Sequence, residues 1–187
     1  MEYKRTTNET NITVRIRPGT DSEINTGIPF FDHMLNSFSV HGDLGLFLLA
    51  EGDLKVDFHH TIEDCGILVG DAIKGLIADG RGIERFGEAI IPMDEALATI
   101  AVDCGGRGYL VWHARFSNSK VGEIETDLIE HFFFSLATHA GITINIDAYG
   151  RNDHHICEVI FKAFGRALKS SLKRKENNTV MSTKGVF

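Results

Sequence analysis

Two short segments, 95 residues apart, constrain this chain more than any property of its composition. They are Asp57-Phe58-His59-His60-Thr61-Ile62-Glu63 and Asn152-Asp153-His154-His155-Ile156-Cys157-Glu158. Each follows an acidic residue and a histidine, in Phe31-Asp32-His33 and Ile129-Glu130-His131. Eight residues after those histidines stand His41 and His139, and seven after each glutamate comes Gly70 or Gly165, then Ala72 or Ala167. One His-His pair can arise by chance, but an ordered set repeated in the same order reads as an internal duplication. The 187 residues are therefore expected to form a single domain, 1–187, of two repeats spanning about 1–90 and 91–187.

Local patterning adds the elements. Ile12, Val14 and Ile16 alternate with Thr13, Arg15 and Arg17, the period of a half-buried strand. The same alternation recurs at Leu44, Leu46 and Leu48, at Leu97 to Val102, at Tyr109 to Phe116 and at Ile142, Ile144 and Ile146. Helical spacing places Val69, Ala72, Ile73, Leu76 and Ile77 on one stripe, and Val159, Ile160, Ala163, Phe164, Ala167, Leu168 and Leu172 on another. Pro29 suits the first turn of a further helix, which Gly42 would close. Strands and helices are mixed, so the expected class is α+β.

The doubled HHxxE has a direct reading in metal chemistry. On a helix, positions i and i+4 share a face, so His59 converges with Glu63 and His154 with Glu158. His60 and His155 point about 100° round the helix, toward a second centre. With His33 and His131 the set holds six imidazoles and two carboxylates, enough for two ions with positions left open. Nitrogen and oxygen donors without thiolate suit Mn, Fe, Zn or Ni. Neither HExxH nor HxxEH is present, since Asp64 follows Glu63. A lone HHxxE could be a solvated helix face; two in register, each with an upstream histidine, argue for ligands. Repeat symmetry suggests His59, Glu63 and His155 at one ion and His154, Glu158 and His60 at the other. His33 and His131 would each complete one of them.

His41 and His139 fall near helix ends and read as support or capping residues. His113 has no repeat counterpart and reads as structural. Cys65 and Cys157 do not align with each other in the repeat, and each aligns with an apolar position, so both read as core.

Composition removes other classes. With 26 acidic against 19 basic side chains and a net charge of −7, the chain lacks the cationic surface that nucleic acid requires. No run of 18 apolar residues exists to span a membrane, and no apolar stretch follows Met1-Glu2-Tyr3-Lys4-Arg5 to make a secretory signal. Three scattered cysteines, Cys65, Cys104 and Cys157, form no disulfide framework. A cytoplasmic location is expected.

Taken together, the residues resemble the imidazoleglycerol-phosphate dehydratase family of histidine biosynthesis over essentially the whole chain. The resemblance rests on Arg5-Thr6-Thr7-Asn8-Glu9-Thr10, Gly27-Ile28-Pro29-Phe30-Phe31-Asp32-His33-Met34-Leu35 and the run from Asp57 to Asp64. It continues through Gly82-Ile83-Glu84-Arg85-Phe86-Gly87, Met93-Asp94-Glu95-Ala96, Glu130-His131-Phe132-Phe133, the run from His154 to Glu158, and Ser182-Thr183-Lys184-Gly185. Asn36 and Ser37 replace a more usual Asp-Gln, and Gly108 and Met181 stand where proline is common; none of these positions is a proposed ligand. The resemblance implies two four-stranded sheets, each with two helices on one face. It also implies an octahedral 24-mer with intersubunit active sites and two Mn²⁺ per site, held by His33, His59, His60, Glu63, His131, His154, His155 and Glu158.

By the same resemblance the reaction is loss of water from imidazoleglycerol phosphate to give imidazole-acetol phosphate. The proton removed lies beside no carbonyl, so a metal-stabilised imidazolate would take the place of enolate chemistry. Glu9 is the implied general base, with Asp94 and Glu95 as rival acid/base residues. Arg85, Arg107, Ser182, Thr183 and Lys184 are implied phosphate ligands. On the residues alone, a dinuclear hydrolase acting on a phosphate ester or amide, or a non-catalytic metal store, remains open.

Overall fold

An apolar face on a strand has to be covered, and here the strands are covered by helices that in turn face one another. The structure, a computed structural model, describes residues 1–177 and 179–182. The chain begins β1 (Tyr3–Thr6), β2 (Thr10–Pro18), β3 (Glu23–Asn25), α1 (Pro29–Gly42), β4 (Leu44–Gly52) and α2 (His59–Ile77). It continues β5 (Phe86–Met93), β6 (Ala96–Asp103), β7 (Tyr109–Ala114), a small hairpin β8 (Lys120–Val121) and β9 (Ile124–Glu125), α3 (Asp127–Ala140), β10 (Thr143–Tyr149) and α4 (Asp153–Ser171).

Two four-stranded sheets result, ordered β1-β2-β4-β3 and β5-β6-β10-β7. In each, the first three strands pair antiparallel and the fourth joins its neighbour in parallel. The small β8–β9 hairpin lies between β7 and α3 and belongs to neither sheet. This is the α+β architecture expected, with two helices on each sheet; the chain crosses from the first sheet to the second between Ile77 and Phe86. The alternation works as read: Ile12, Val14 and Ile16 of β2 and Ile144 and Ile146 of β10 point inward and are buried.

Helices α1 and α2 pack on the first sheet, α3 and α4 on the second; across the middle, α1 meets α4 and α2 meets α3. Six phenylalanines, Phe31, Phe38, Phe132, Phe133, Phe161 and Phe164, are fully buried there. Phe133 touches Phe132, Phe161 and Phe164 with ring centroids 5.1–5.3 Å apart, and Phe31 meets Phe132 at 5.2 Å. The core is thus shared by both sheets. Cys65 and Cys157 lie fully buried in it, as read from the sequence, and burial pushes both thiols far up.

The helices of each facing pair run in the same direction and nearly touch through their backbones. A Cβ on Gly165 of α4 would fall 2.5 Å from the carbonyl oxygen of Phe38 and 2.8 Å from Gly42 N. A Cβ on Gly70 of α2 would fall 2.7 Å from the Leu136 oxygen and 2.8 Å from His139 Cβ. The repeated glycine therefore has a packing reason. Gly42, expected to cap α1, is the last helical residue, and Asp43 takes the left-handed turn at φ 53°. Gly42 is needed instead where α1 approaches Gly165, since its own Cβ would sit 3.3 Å from Gly165 Cα.

Glycine to alanine in an ordinary helix stabilises by about 1 kcal/mol. Here Gly165→Ala is expected to reverse that sign and destabilise the metal-free protein by about 1–3 kcal/mol in urea unfolding. A neutral or stabilising result would contradict the close contact. Phe132→Ala, at the centre of the aromatic cluster, is expected to cost about 3–5 kcal/mol.

Candidate metal centre

The ligand-type residues all lie near helix N-termini. Asn152 caps α4 by accepting a hydrogen bond from His154 N–H at 3.0 Å, and Asp57, one residue before the N-cap position of α2, accepts one from His59 N–H at 2.8 Å. The His-His pairs therefore occupy the first turns of α2 and α4, with Glu63 and Glu158 one turn on. Ahead of α1, the Asp32 carboxylate accepts from the Thr26 amide at 2.9 Å and the Thr26 hydroxyl at 2.6 Å. His33 follows in the second turn of α1, and His131 holds the same place in α3.

Parallel pairing of the helices then joins residues distant in sequence. His33 Nε2 lies 3.4 Å from Glu158 Oε2, and His154 Nε2 lies 3.2 Å from the same oxygen. In the other pair, Glu63 Oε1 stands 3.2 Å from His131 Nε2 and Glu63 Oε2 stands 3.8 Å from His59 Nε2. Within each group, His33-His154-Glu158 and His59-Glu63-His131, one donor atom per residue lies within 4.8 Å of the others. The His59 and His131 rings are only 4.8 Å apart at their centroids.

Each group fits a cation. Two imidazole nitrogens and a carboxylate face one point and leave coordination positions open, and no thiolate is near. His131 Nε2 is buried without a hydrogen-bond partner among the described residues; its 3.2 Å approach to Glu63 lacks hydrogen-bond geometry. A buried polar nitrogen left unpaired is costly, and an ion would satisfy it. Glu158 is ready for the role: burial pushes its carboxyl up, but Lys162 and His33 outweigh this and hold it below the usual range.

His60 and His155 join neither group. His60 Nδ1 lies 3.0 Å from Asp53 Oδ2, with Glu9 Oε1 3.7 Å from its Nε2. His155 Nδ1 lies 3.0 Å from Glu95 Oε2, with Asp94 Oδ2 at 4.0 Å. Asp53 raises the His60 pKa through its hydrogen bond. Glu95 is held down to about 2 by His155 and by backbone N–H groups, including those of Asn152 and Arg151.

The proposed phosphate residues lie elsewhere. Arg85, at φ 70°, pairs with Asp103 through Nε at 2.7 Å and Nη2 at 3.1 Å, and Nη1 donates to the Met181 carbonyl at 2.5 Å. Its amide bonds Ser171 O at the last residue of α4. Arg107 sits beyond the end of α3, its carbonyl accepting from Thr143 Oγ1 at 3.2 Å. Ser182 N–H donates to the Val180 carbonyl at 2.9 Å. Thr183 and Lys184 lie outside the described residues. His139 pairs with Asp71 at 3.3 Å in the last turn of α3, while His41 closes α1 and His113 is exposed on β7.

Two residues near the site escaped sequence reasoning. Lys162 Nζ binds Glu158 Oε1 at 2.7 Å, and its position four residues beyond Glu158 was a usable signal. Asp53 had none, because it sits in an irregular stretch between β4 and α2 with no repeat counterpart.

Comparison with known proteins identifies relatives of this fold. The family model described as imidazoleglycerol-phosphate dehydratase matches residues 26–168. The protein of that name from Methanosphaerula palustris is 56% identical over 98% of this chain and 97% of its own. The crystal structure of imidazoleglycerol-phosphate dehydratase from Staphylococcus aureus superposes with a TM-score of 0.84 at 42% identity, covering 94% of this chain and 99% of that one. The Pyrococcus furiosus IGPD, solved in complex with (S)-C348, gives 0.86 at 36% identity over 99% and 100%.

Because each group centres on one glutamate, Glu63→Gln and Glu158→Gln are each expected to remove about half of the Mn²⁺ bound per chain in equilibrium dialysis. Cys65→Ala should remove none. Equal metal content in all three variants would contradict both groups.

Proposed function

The chain belongs to the imidazoleglycerol-phosphate dehydratase family, the hydro-lyases of histidine biosynthesis, and from that membership we infer how its residues divide the work. The finer reading is a site with two Mn²⁺ ions, shared between copies of the chain in an octahedral 24-mer. His33, His154 and Glu158 hold one ion and His59, Glu63 and His131 the other. His60 and His155 complete the groups of adjoining copies. The two repeats, about 1–90 and 91–187, each supply half of the ligands, and the enzyme works in the cytoplasm.

One observation carries the shared-site reading. Both groups lie at helix N-termini, whereas Arg85 and Arg107 lie at the C-terminal ends of α4 and α3. From Glu158 to Ser171 the helix rises about 20 Å, too far for one small phosphate ester to bridge. A substrate touching both sets takes them from different copies. The eight ligands split the same way, since His60 and His155 join neither group of their own chain and pair instead with Asp53 and Glu95.

Two ions held by these residues would supply Lewis acidity toward the substrate imidazole. The protein does the rest. Glu9 stands at the exposed tip of the β1–β2 turn, on the Nε2 side of His60. There its carboxylate takes the carbon-bound proton and hands it to the departing hydroxide, so that the two leave as water; the enol so formed becomes the ketone. Glu95 suits this role poorly: both of its oxygens are engaged and its pKa lies near 2. Asp94 is exposed and remains the rival carboxylate. Arg85, Arg107, Ser182, Thr183 and Lys184 bind the phosphate.

Metal-loaded protein given imidazoleglycerol phosphate should yield imidazole-acetol phosphate, and chelator should abolish the reaction. Release of inorganic phosphate instead would mark a hydrolase, and no turnover a metal store. Glu9→Gln is expected to lower kcat by about 10²–10⁴ with metal content unchanged. Normal turnover in that variant would overturn the assignment of the base.

A further inference from the structure

We propose that Asp53 and Glu95 are positioning residues, each holding one histidine, His60 or His155, in the single tautomer that can bind a metal. The two halves of the fold do this with carboxylates from different places. The inference rests on the reading of His60 and His155 as ligands given above.

A neutral imidazole carries one N–H and one lone pair, and whichever nitrogen donates a hydrogen bond leaves the other free to bind an ion. Both rings place Nδ1 at 3.0 Å from a carboxylate oxygen, His60 against Asp53 Oδ2 and His155 against Glu95 Oε2. Nδ1–H is thereby fixed as the donor, and Nε2 keeps the lone pair. The other four histidines also meet their glutamates through Nε2. All six rings thus present the same atom.

The carboxylates are themselves held. Asp53 N–H donates to the Glu9 carbonyl at 3.1 Å, and the Asp53 carbonyl accepts from Val56 N at 2.7 Å. Its second oxygen, Oδ1, is buried without a hydrogen-bond partner among the described residues, which leaves the bond from His60 to Oδ2 as the contact that satisfies this carboxylate. Glu95 is anchored differently: Oε1 accepts from Arg151 N at 3.1 Å and Asn152 N at 2.8 Å, in the loop that leads into α4.

Topology shows the exchange of roles. Glu95 sits in the β5–β6 turn, and the matching β1–β2 turn carries Glu9. Glu9 does not support Nδ1 of its histidine; it stands 3.7 Å from Nε2, the ligand side. With Asp53 orienting His60, the hairpin carboxylate of the first half is released to face the substrate. In the second half Glu95 is committed to His155.

The test is Mn²⁺ binding to the full chain, with free Mn²⁺ followed by electron paramagnetic resonance. Asp53→Ala and Glu95→Ala should each weaken binding about 10- to 100-fold. Asp53→Glu should recover part of that loss, and Asp53→Ala should add nothing in a His60→Ala background. If His60→Ala weakens binding and Asp53→Ala does not, the positioning role is wrong while the ligand reading stands. If His60→Ala itself changes nothing, the ligand reading fails. A further loss in the double variant would also overturn the proposal, because Asp53 would then act elsewhere. Should an alanine variant fail to fold, Asp53→Leu and Glu95→Leu carry the same comparison, with unfolding midpoints of the metal-free proteins as the control.

Discussion

The backbone-close contact between parallel helices, α1 on α4 and α2 on α3, is the constraint on which the rest of the structure depends. Because each pair runs in one direction, its N-termini lie at the same end and its C-termini at the other. His33 can therefore meet Glu158, 125 residues away, and Glu63 can meet His131. Gly165 and Gly70 permit the approach by leaving out a Cβ that would collide with the facing backbone. Antiparallel pairs would have placed the same residues at opposite ends, and neither group would exist.

The sheets and the aromatic core serve this arrangement. One face of each sheet is apolar and needs a cover, so two helices lie on each; those helices need a second cover, and each layer provides it for the other. Phe31, Phe132, Phe133, Phe161 and Phe164 connect α1, α3 and α4 beneath the two histidine-glutamate groups. Nearer the surface, the buried Asp64 ties the first hairpin to α2, through Arg5 at 2.7 Å and Thr10 at 2.5 Å. That tie also fixes the turn that carries Glu9. Packing and chemistry therefore share residues one position apart, Glu63 turning to the ligands and Asp64 to the strands.

Much of this was legible in the sequence, because the same local motif is written twice along the chain. The alternating strands, the helical stripes and the ligand-type residues all follow from spacing within a few turns of chain. Which histidine meets which glutamate did not follow. HHxxE says that His59 and Glu63 share a face, but only the crossing of α2 with α3 decides that His131 is the third member. The symmetric guess that put His155 beside Glu63 is not met within one chain, where His155 turns to Glu95. Asp53 was invisible for a related reason: its contact to His60 is made by an irregular segment without period or repeat. Local rules make Gly42 a cap, whereas its close approach to Gly165 decides its place.

The central claim is that ligands from both ends of the sequence assemble into two separate metal-binding groups. Crystals grown with Mn²⁺ and measured at the manganese absorption edge test it most directly. Anomalous peaks are expected within bonding distance of His33, His154 and Glu158, and of His59, Glu63 and His131. Each is expected to have His60 or His155 of an adjoining copy as a further ligand. Peaks elsewhere, or a fully loaded, active enzyme with either group empty, would contradict the account.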